Sequence, residues 1–179
     1  VRVRWDRLWA DLSAQAEALE RVEFEAEVAD RVSVEQASVL LMDRVRASLG
    51  RHLRCDVTGA PPWRGVLGGY GRDWLALTRT DPSHAQTVLV PLSAVRGVTG
   101  LARQAVLDDA LSPVGRRVTL AMALRHLRDD AHETTLHRSG TPPLRGLVRS
   151  VGRDYVDLVD DEGTCWSVPL SALLGVSLW

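Results

Sequence analysis

One stretch of this chain resembles a metal-dependent catalytic motif at first sight: His132-Glu133-Thr134-Thr135-Leu136-His137. Zinc-protease helices carry their two histidines at i and i+4, on one helix face. Here the spacing is i, i+5, which places the rings on opposite faces of a strand and lets them diverge on a helix. No metal site is expected there, and no cofactor is implied elsewhere. No G-x-S-x-G, phosphate-loop or dinucleotide fingerprint occurs. The carboxylates are scattered, with no histidine or nucleophile placed beside them by a recognisable motif. The expectation is a non-enzyme with no small-molecule substrate. The two cysteines, Cys55 and Cys165, lack C-x-x-C spacing, lie in strand-like contexts and are expected as buried free thiols.

The residues suited to binding are more numerous. The chain has 22 basic side chains, all arginine, against 23 acids, for a net charge of −1. That balance gives no global nucleic-acid signature. Arginine-only usage fits a GC-rich genome, and it also fits phosphate or carboxylate recognition. Arg64, Arg72, Arg145, Arg149 and Arg153, with Tyr70, gather around two pairs of strand-like segments and are the candidate nucleic-acid residues. Residues 51–100 hold six arginines and three acids, whereas residues 131–179 hold four and six. The difference suits a weak anion-binding face on the first half, docking of the two halves, or docking of an acidic helix. Trp74 and Tyr155 occupy equivalent positions pointing away from their cores. Such aromatics can stack a base, anchor a partner, or pack against a helix or the other half.

Helices are expected first. Trp5, Leu8, Trp9, Leu12, Ala16, Leu19, Val22 and Ala26 recur at steps of three and four, which predicts an amphipathic helix over residues 3–30. Trp5, Trp9 and Leu12 are its candidate interaction residues, and glutamates cover the other face. Ser33-Val34-Glu35-Gln36 forms a capping box opening a second helix, stopped by Gly50. No apolar run is long enough to span a membrane. With the polar N-terminal stretch, this predicts a cytoplasmic protein without a signal peptide.

From Arg51 the hydrophobic period becomes two, and the pattern then repeats. Gly59-Ala60-Pro61-Pro62-Trp63-Arg64-Gly65 matches Gly140-Thr141-Pro142-Pro143-Leu144-Arg145-Gly146, and Gly71-Arg72-Asp73-Trp74 matches Gly152-Arg153-Asp154-Tyr155, both at an offset of 81. Val90-Pro91-Leu92-Ser93-Ala94 matches Val168-Pro169-Leu170-Ser171-Ala172 at an offset of 78, the change falling in a polar loop. The alignment puts Leu75, Leu77, Val156 and Leu158 inward and Asp157 outward. Gly65 and Gly146 mark equivalent bends. A helix lined by Leu120, Ala121, Leu124 and Leu127 precedes the second copy.

Trp63-Arg64-Gly65-Val66-Leu67 with Tyr70 resembles the opening half of the first Sm motif. Leu144-Arg145-Gly146-Leu147-Val148 resembles it again, with Val151 at the aromatic position. Val90-Pro91-Leu92-Ser93-Ala94-Val95 resembles strand four, the short turn and strand five of that fold. The resemblance spans roughly residues 34–98 and 119–178. The whole arrangement also resembles uncharacterised tandem-barrel proteins of GC-rich actinobacteria. It implies an α+β chain: N-terminal helices, then two tandem five-stranded Sm-like (SH3-like) β-barrels, each preceded by a helix. The implied parts are an acidic helix over 1–33, a helix and first barrel over 34–99, a linker over 100–117, and a helix and second barrel over 118–179. Gly71 and Gly152 replace the Sm aspartate. Leu75 and Val156 stand at the base-contacting asparagine, and Pro91 and Pro169 stand near the place of the Arg-Gly pair. The expected function is therefore binding or assembly through protein contacts, by another protein or by self-association through the N-terminal helix. RNA binding, in a weak and phosphate-led form, is the alternative.

Overall fold

The computed structural model describes residues 37, 39–80, 85–103 and 117–178. Contacts divide the chain into Val1–Leu40 and Leu41–Trp179, and the fold below is that of the second unit. The predicted helix over 3–30, with Trp5, Trp9 and Leu12, lies outside the described residues, as does the capping box. Among the described residues of the second predicted helix, Ala37 and α1, Leu41–Arg46, are helical, residues 39–40 between them are not, and Gly50 at φ +78° follows. Leu41 and Leu49 are exposed, while Val45 is fully buried.

Ten strands follow the repeat. The first copy contains β1 His52–Val57, β2 Trp63–Tyr70, β3 Trp74–Thr80, β4 Ala85–Pro91 and β5 Val95–Thr99. After α2, Leu120–Asp129, the second copy contains β6 Glu133–Arg138, β7 Leu144–Val151, β8 Tyr155–Val159, β9 Cys165–Pro169 and β10 Leu173–Leu178. A 3-10 turn, Leu92–Ala94 or Leu170–Ala172, precedes each last strand. Leu75, Leu77, Val156 and Leu158 are all inward and buried, as the alternation predicts.

The expectation of two closed barrels behind N-terminal helices is wrong. The ten strands form one antiparallel sheet, in the order β5-β1-β2-β3-β4-β10-β6-β7-β8-β9, and among the described residues α2 is the one helix longer than two turns. Closing a copy on itself would need its fourth and fifth strands to pair. Instead β4 pairs with β10, the fifth strand of the other copy. That pairing satisfies the backbone groups of β4 and leaves β5 and β9 as the sheet's two edges. Period-two patterning says which face of a strand is buried. It does not say which neighbour takes its edge.

The two copies bend in the same places. Each second strand slips register once, at Gly68 in β2 and Arg149 in β7. Gly65 and Gly146 are buried where second and third strands cross closely. A Cβ on Gly65 would lie 2.6 Å from the Thr78 carbonyl oxygen, and one on Gly146 would lie 2.0 Å from that of Val159. Each last strand carries a bulge too, at Arg96 in β5 and Leu174 in β10.

Candidate interaction surface at the seam and its second copy

The seam between the copies is where the two sequences diverge most usefully. Val176, Ser177 and Leu178 of β10 face Leu89, Val88 and Thr87 of β4. Ala76 and Leu89 lie on the outer face of the first copy, yet both are buried, because they belong to the core built around Leu124, Leu136 and Val176. Their counterparts, Asp157 and Ser167, are polar. Asp157 accepts hydrogen bonds from the Ser150 and Ser167 hydroxyls, which hold its carboxyl below the usual range. In return, Leu174 at the β10 bulge enters the first copy's core, while Arg96 at the same bulge of β5 is exposed and bonds Thr58.

A polar dock accompanies this apolar seam. The segment entering α2 runs across the β2–β3 turn of the first copy. The Val118 carbonyl accepts from the Arg72 backbone N–H at 2.8 Å and from Trp74 Nε1 at 3.2 Å. Asp73 Oδ1 accepts from the Leu120 N–H at 2.8 Å, one of the orphan donors of the helix start. Thr119 is the N-cap, accepting from the Met122 N–H. Gly71 makes this possible: a Cβ there would lie 2.4 Å from the Val118 oxygen and 2.0 Å from Trp74 Nε1.

The second copy builds the same turn. The Gly152 N–H donates to the Tyr155 carbonyl at 2.9 Å, as Gly71 does to Trp74 at 2.8 Å. The Leu170 N–H donates to the Asp154 carbonyl as Leu92 does to that of Asp73. The Tyr155 ring lies over Gly152, where a Cβ would be 2.3 Å from it. Among the described residues nothing occupies the place corresponding to Val118, and Tyr155 is 41% exposed. Arg125 of α2 bonds the Val151 and Gly152 carbonyls beside the turn.

The predicted aromatics therefore part company. Trp74 packs against the second copy's core, and Tyr155 faces solvent. The predicted arginines do not form one surface. Arg145 is held by Glu133 through two hydrogen bonds of 2.7 and 2.8 Å, which lower the glutamate's pKa. Arg72 contributes its backbone to the dock, and its side chain is exposed. Arg149 and Arg153 are exposed on separate elements. Tyr70 is half-buried, with the Arg46 guanidinium 6.0 Å from its ring centre. Only Arg64 joins a cleft, of about 610 Å³, with Pro61, Pro62, Trp63, Arg79 and His137.

Two members of that cleft, Trp63 and His137, are not brought together by any reading of the sequence. The Trp63 ring meets His137 edge-on at 4.8 Å, and it lies over Gly175 of β10. His137 bonds Ser177 at 2.7 Å, and burial lowers its pKa. The cleft thus straddles both copies, which no local motif could announce. His132 and His137 separate: the His132 N–H caps α2 on the Leu127 carbonyl. Cys55 is buried as expected, but Cys165 is exposed because β9 is a sheet edge. No helix of the described residues is long and apolar enough to cross a membrane. No family model and no curated protein matches this chain.

Proposed function

We propose that this protein is a non-catalytic binding and assembly module acting through protein–protein contacts. The observation that carries this reading is the seam. One copy's edge strand, outer face and turn already serve as a binding surface for the other copy. Among the described residues, the second copy keeps an open edge at β9, an open turn at Gly152–Tyr155, and a cross-strand row of Leu147, Val159 and Cys165 that is exposed or half-exposed. Aromatic and aliphatic groups of this kind favour contacts that exclude water. The N-terminal stripe of Trp5, Trp9 and Leu12 adds a further apolar element, and each tryptophan left exposed would forgo roughly 1.5–3 kcal/mol of burial.

The test is the mass in solution of the full chain and of a chain lacking residues 1–30, with tryptophan emission recorded on both. Association that weakens on deletion, with blue-shifted emission in the full chain, supports the reading. A monomer with solvent-exposed tryptophans, unchanged in stability and partner recovery by deletion, overturns it.

A second reading is weak, phosphate-led binding of single-stranded RNA. It is favoured by the cleft that sets Arg64 and Arg79 beside the Trp63 ring. Binding of this kind falls steeply with salt and shows little sequence preference. A nucleic-acid-like absorbance ratio in the purified protein, lost on washing with salt, would favour it over the first.

A further inference from the structure

A second cleft, of about 390 Å³, is bordered by both copies. Two pairs of equivalent hydroxyls meet in it: Thr58 with Ser139, and Ser93 with Ser171. The loops touch there, since a Cβ on Gly59 would lie 2.8 Å from the Ser139 Oγ. Each copy adds one arginine that the other lacks. Arg96 of β5 has Leu174 as its counterpart, and Arg138 of β6 has Val57, and both of those aliphatic residues are buried. Arg96 Nε donates to the Thr58 hydroxyl. Arg138 Nη2 donates to the Pro142 carbonyl at 3.3 Å, while its Nε is buried with no partner among the described residues. Among the described residues no carboxylate lines the cleft. Ser167, at its wall, donates its hydroxyl to Asp157 and so is not a free donor.

We propose that this cleft binds the phosphoryl group of a small molecule. Two guanidiniums with no carboxylate in the lining favour an anion. The hydroxyls decide its kind. A carboxylate presents two oxygens in one plane. A phosphoryl group presents three, spread tetrahedrally, and takes donors from both walls at once. A charged acceptor also offsets the desolvation of the half-buried Arg138 guanidinium. The volume admits a phosphoryl group and a short organic stem. Binding makes and breaks no covalent bond. Because Arg96 and Arg138 come from different copies, the ligand ties the copies together, and its binding free energy adds to the stability of the shared sheet. The site lies apart from the surfaces assigned to protein contacts and does not depend on them.

The test is titration calorimetry and thermal melting of the full chain with inorganic phosphate, with glycerol 3-phosphate and with a uridine oligonucleotide, each against sodium chloride at equal ionic strength. Saturable binding of phosphate or of the monoester, with a melting temperature that rises with ligand, is expected. Binding of both marks a phosphorylated small molecule as the ligand, and binding of phosphate alone marks the free ion; either supports the site. Arg96→Gln and Arg138→Gln should each weaken binding about tenfold, the worth of one charged hydrogen bond, and Ser93→Ala about fivefold. Arg153→Gln, on an exposed turn outside the cleft, should leave it unchanged. If Arg138→Gln fails to fold, Arg96→Gln decides alone, because that side chain is exposed. No shift beyond that of sodium chloride overturns the proposal. So does binding that Arg96→Gln leaves intact. Binding of the oligonucleotide alone, lost in Arg64→Gln, overturns it too and assigns the anion to the other cleft.

Discussion

Val176 of β10 faces Leu89 of β4 across the seam, whereas their counterparts, Val98 and Ser167, sit on the two free edges of the sheet. Among the described residues, one of two equivalent surfaces is thus used internally and the other is left open. The side chains have diverged accordingly. Ala76→Asp copies the second repeat's residue into the seam, where the site is 8% exposed and no partner is provided. It should cost about 3 kcal/mol or more, because an ionised carboxylate is buried unpaired. Asp157→Ala at the open surface should cost much less than Ala76→Asp. Urea unfolding of both variants measures the contrast.

The close strand crossings give a second prediction. Gly65→Ala and Gly146→Ala each drive a Cβ into a backbone carbonyl, at 2.6 and 2.0 Å, and backbone yields less readily than a side chain. Both should lose about 2 kcal/mol or more. Gly97→Ala is the control, since nothing lies within 4 Å of its Cβ position. Thermal melts of the three variants check the ranking.

Much of this was legible in the sequence, and the illegible part has a physical cause. The offset between Gly65 and Gly146 fixed the strand order within a copy, because length and turn chemistry are local. The inward faces of Leu75 and Val156 followed from alternation. Barrel closure was misread because strand pairing is long-range: nothing in Val88-Leu89-Val90 says whether Val98 or Val176 will lie beside Leu89. A signal was present in the comparison of copies. Ala76 against Asp157, Leu89 against Ser167 and Leu174 against Arg96 are apolar-for-polar exchanges confined to one side of each copy. Trp63 and His137 were missed as a pair because they meet only once the seam has formed.

The cysteines give a third prediction. Burial, with the Asp56 charge adding to it, pushes the Cys55 thiol from its ordinary 9.0 up to about 11. Cys165 is exposed. A thiol reagent should label one cysteine quickly at neutral pH and the second only on unfolding. The thiolate is disfavoured in the folded chain, so stability should be whole below pH 9.0 and decline as pH rises from there towards about 11. Cys55→Ala should remove that alkaline decline, and melting curves across the range would show it.

His137 sets an acid limb. Burial holds its imidazole below the ordinary 6.5, so the unfolded chain takes up the proton first. Stability should therefore be full above pH 6.5 and fall as pH drops below it. The carboxylates of Glu133, Asp157 and Asp160 are held below their ordinary values of 4.5, 3.8 and 3.8, so their contribution is lost only at lower pH. His137→Gln should flatten the limb just below 6.5 and leave the carboxylate limb unchanged. Denaturant melts at stepped pH, read by tryptophan emission, separate the two limbs.

The central claim is that the copies share one sheet through β4 and β10, and it can be read directly from proton–proton proximities in solution. Isotope-labelled protein should show cross-strand nuclear Overhauser contacts between Leu89 and Val176, Val88 and Ser177, and Thr87 and Leu178, with slow amide exchange along both strands. The β5 and β9 edges should show no such contact with each other within one molecule. Contacts from Val98 to Leu89, in place of Val176, would mean that each copy closes on itself, and would contradict the account.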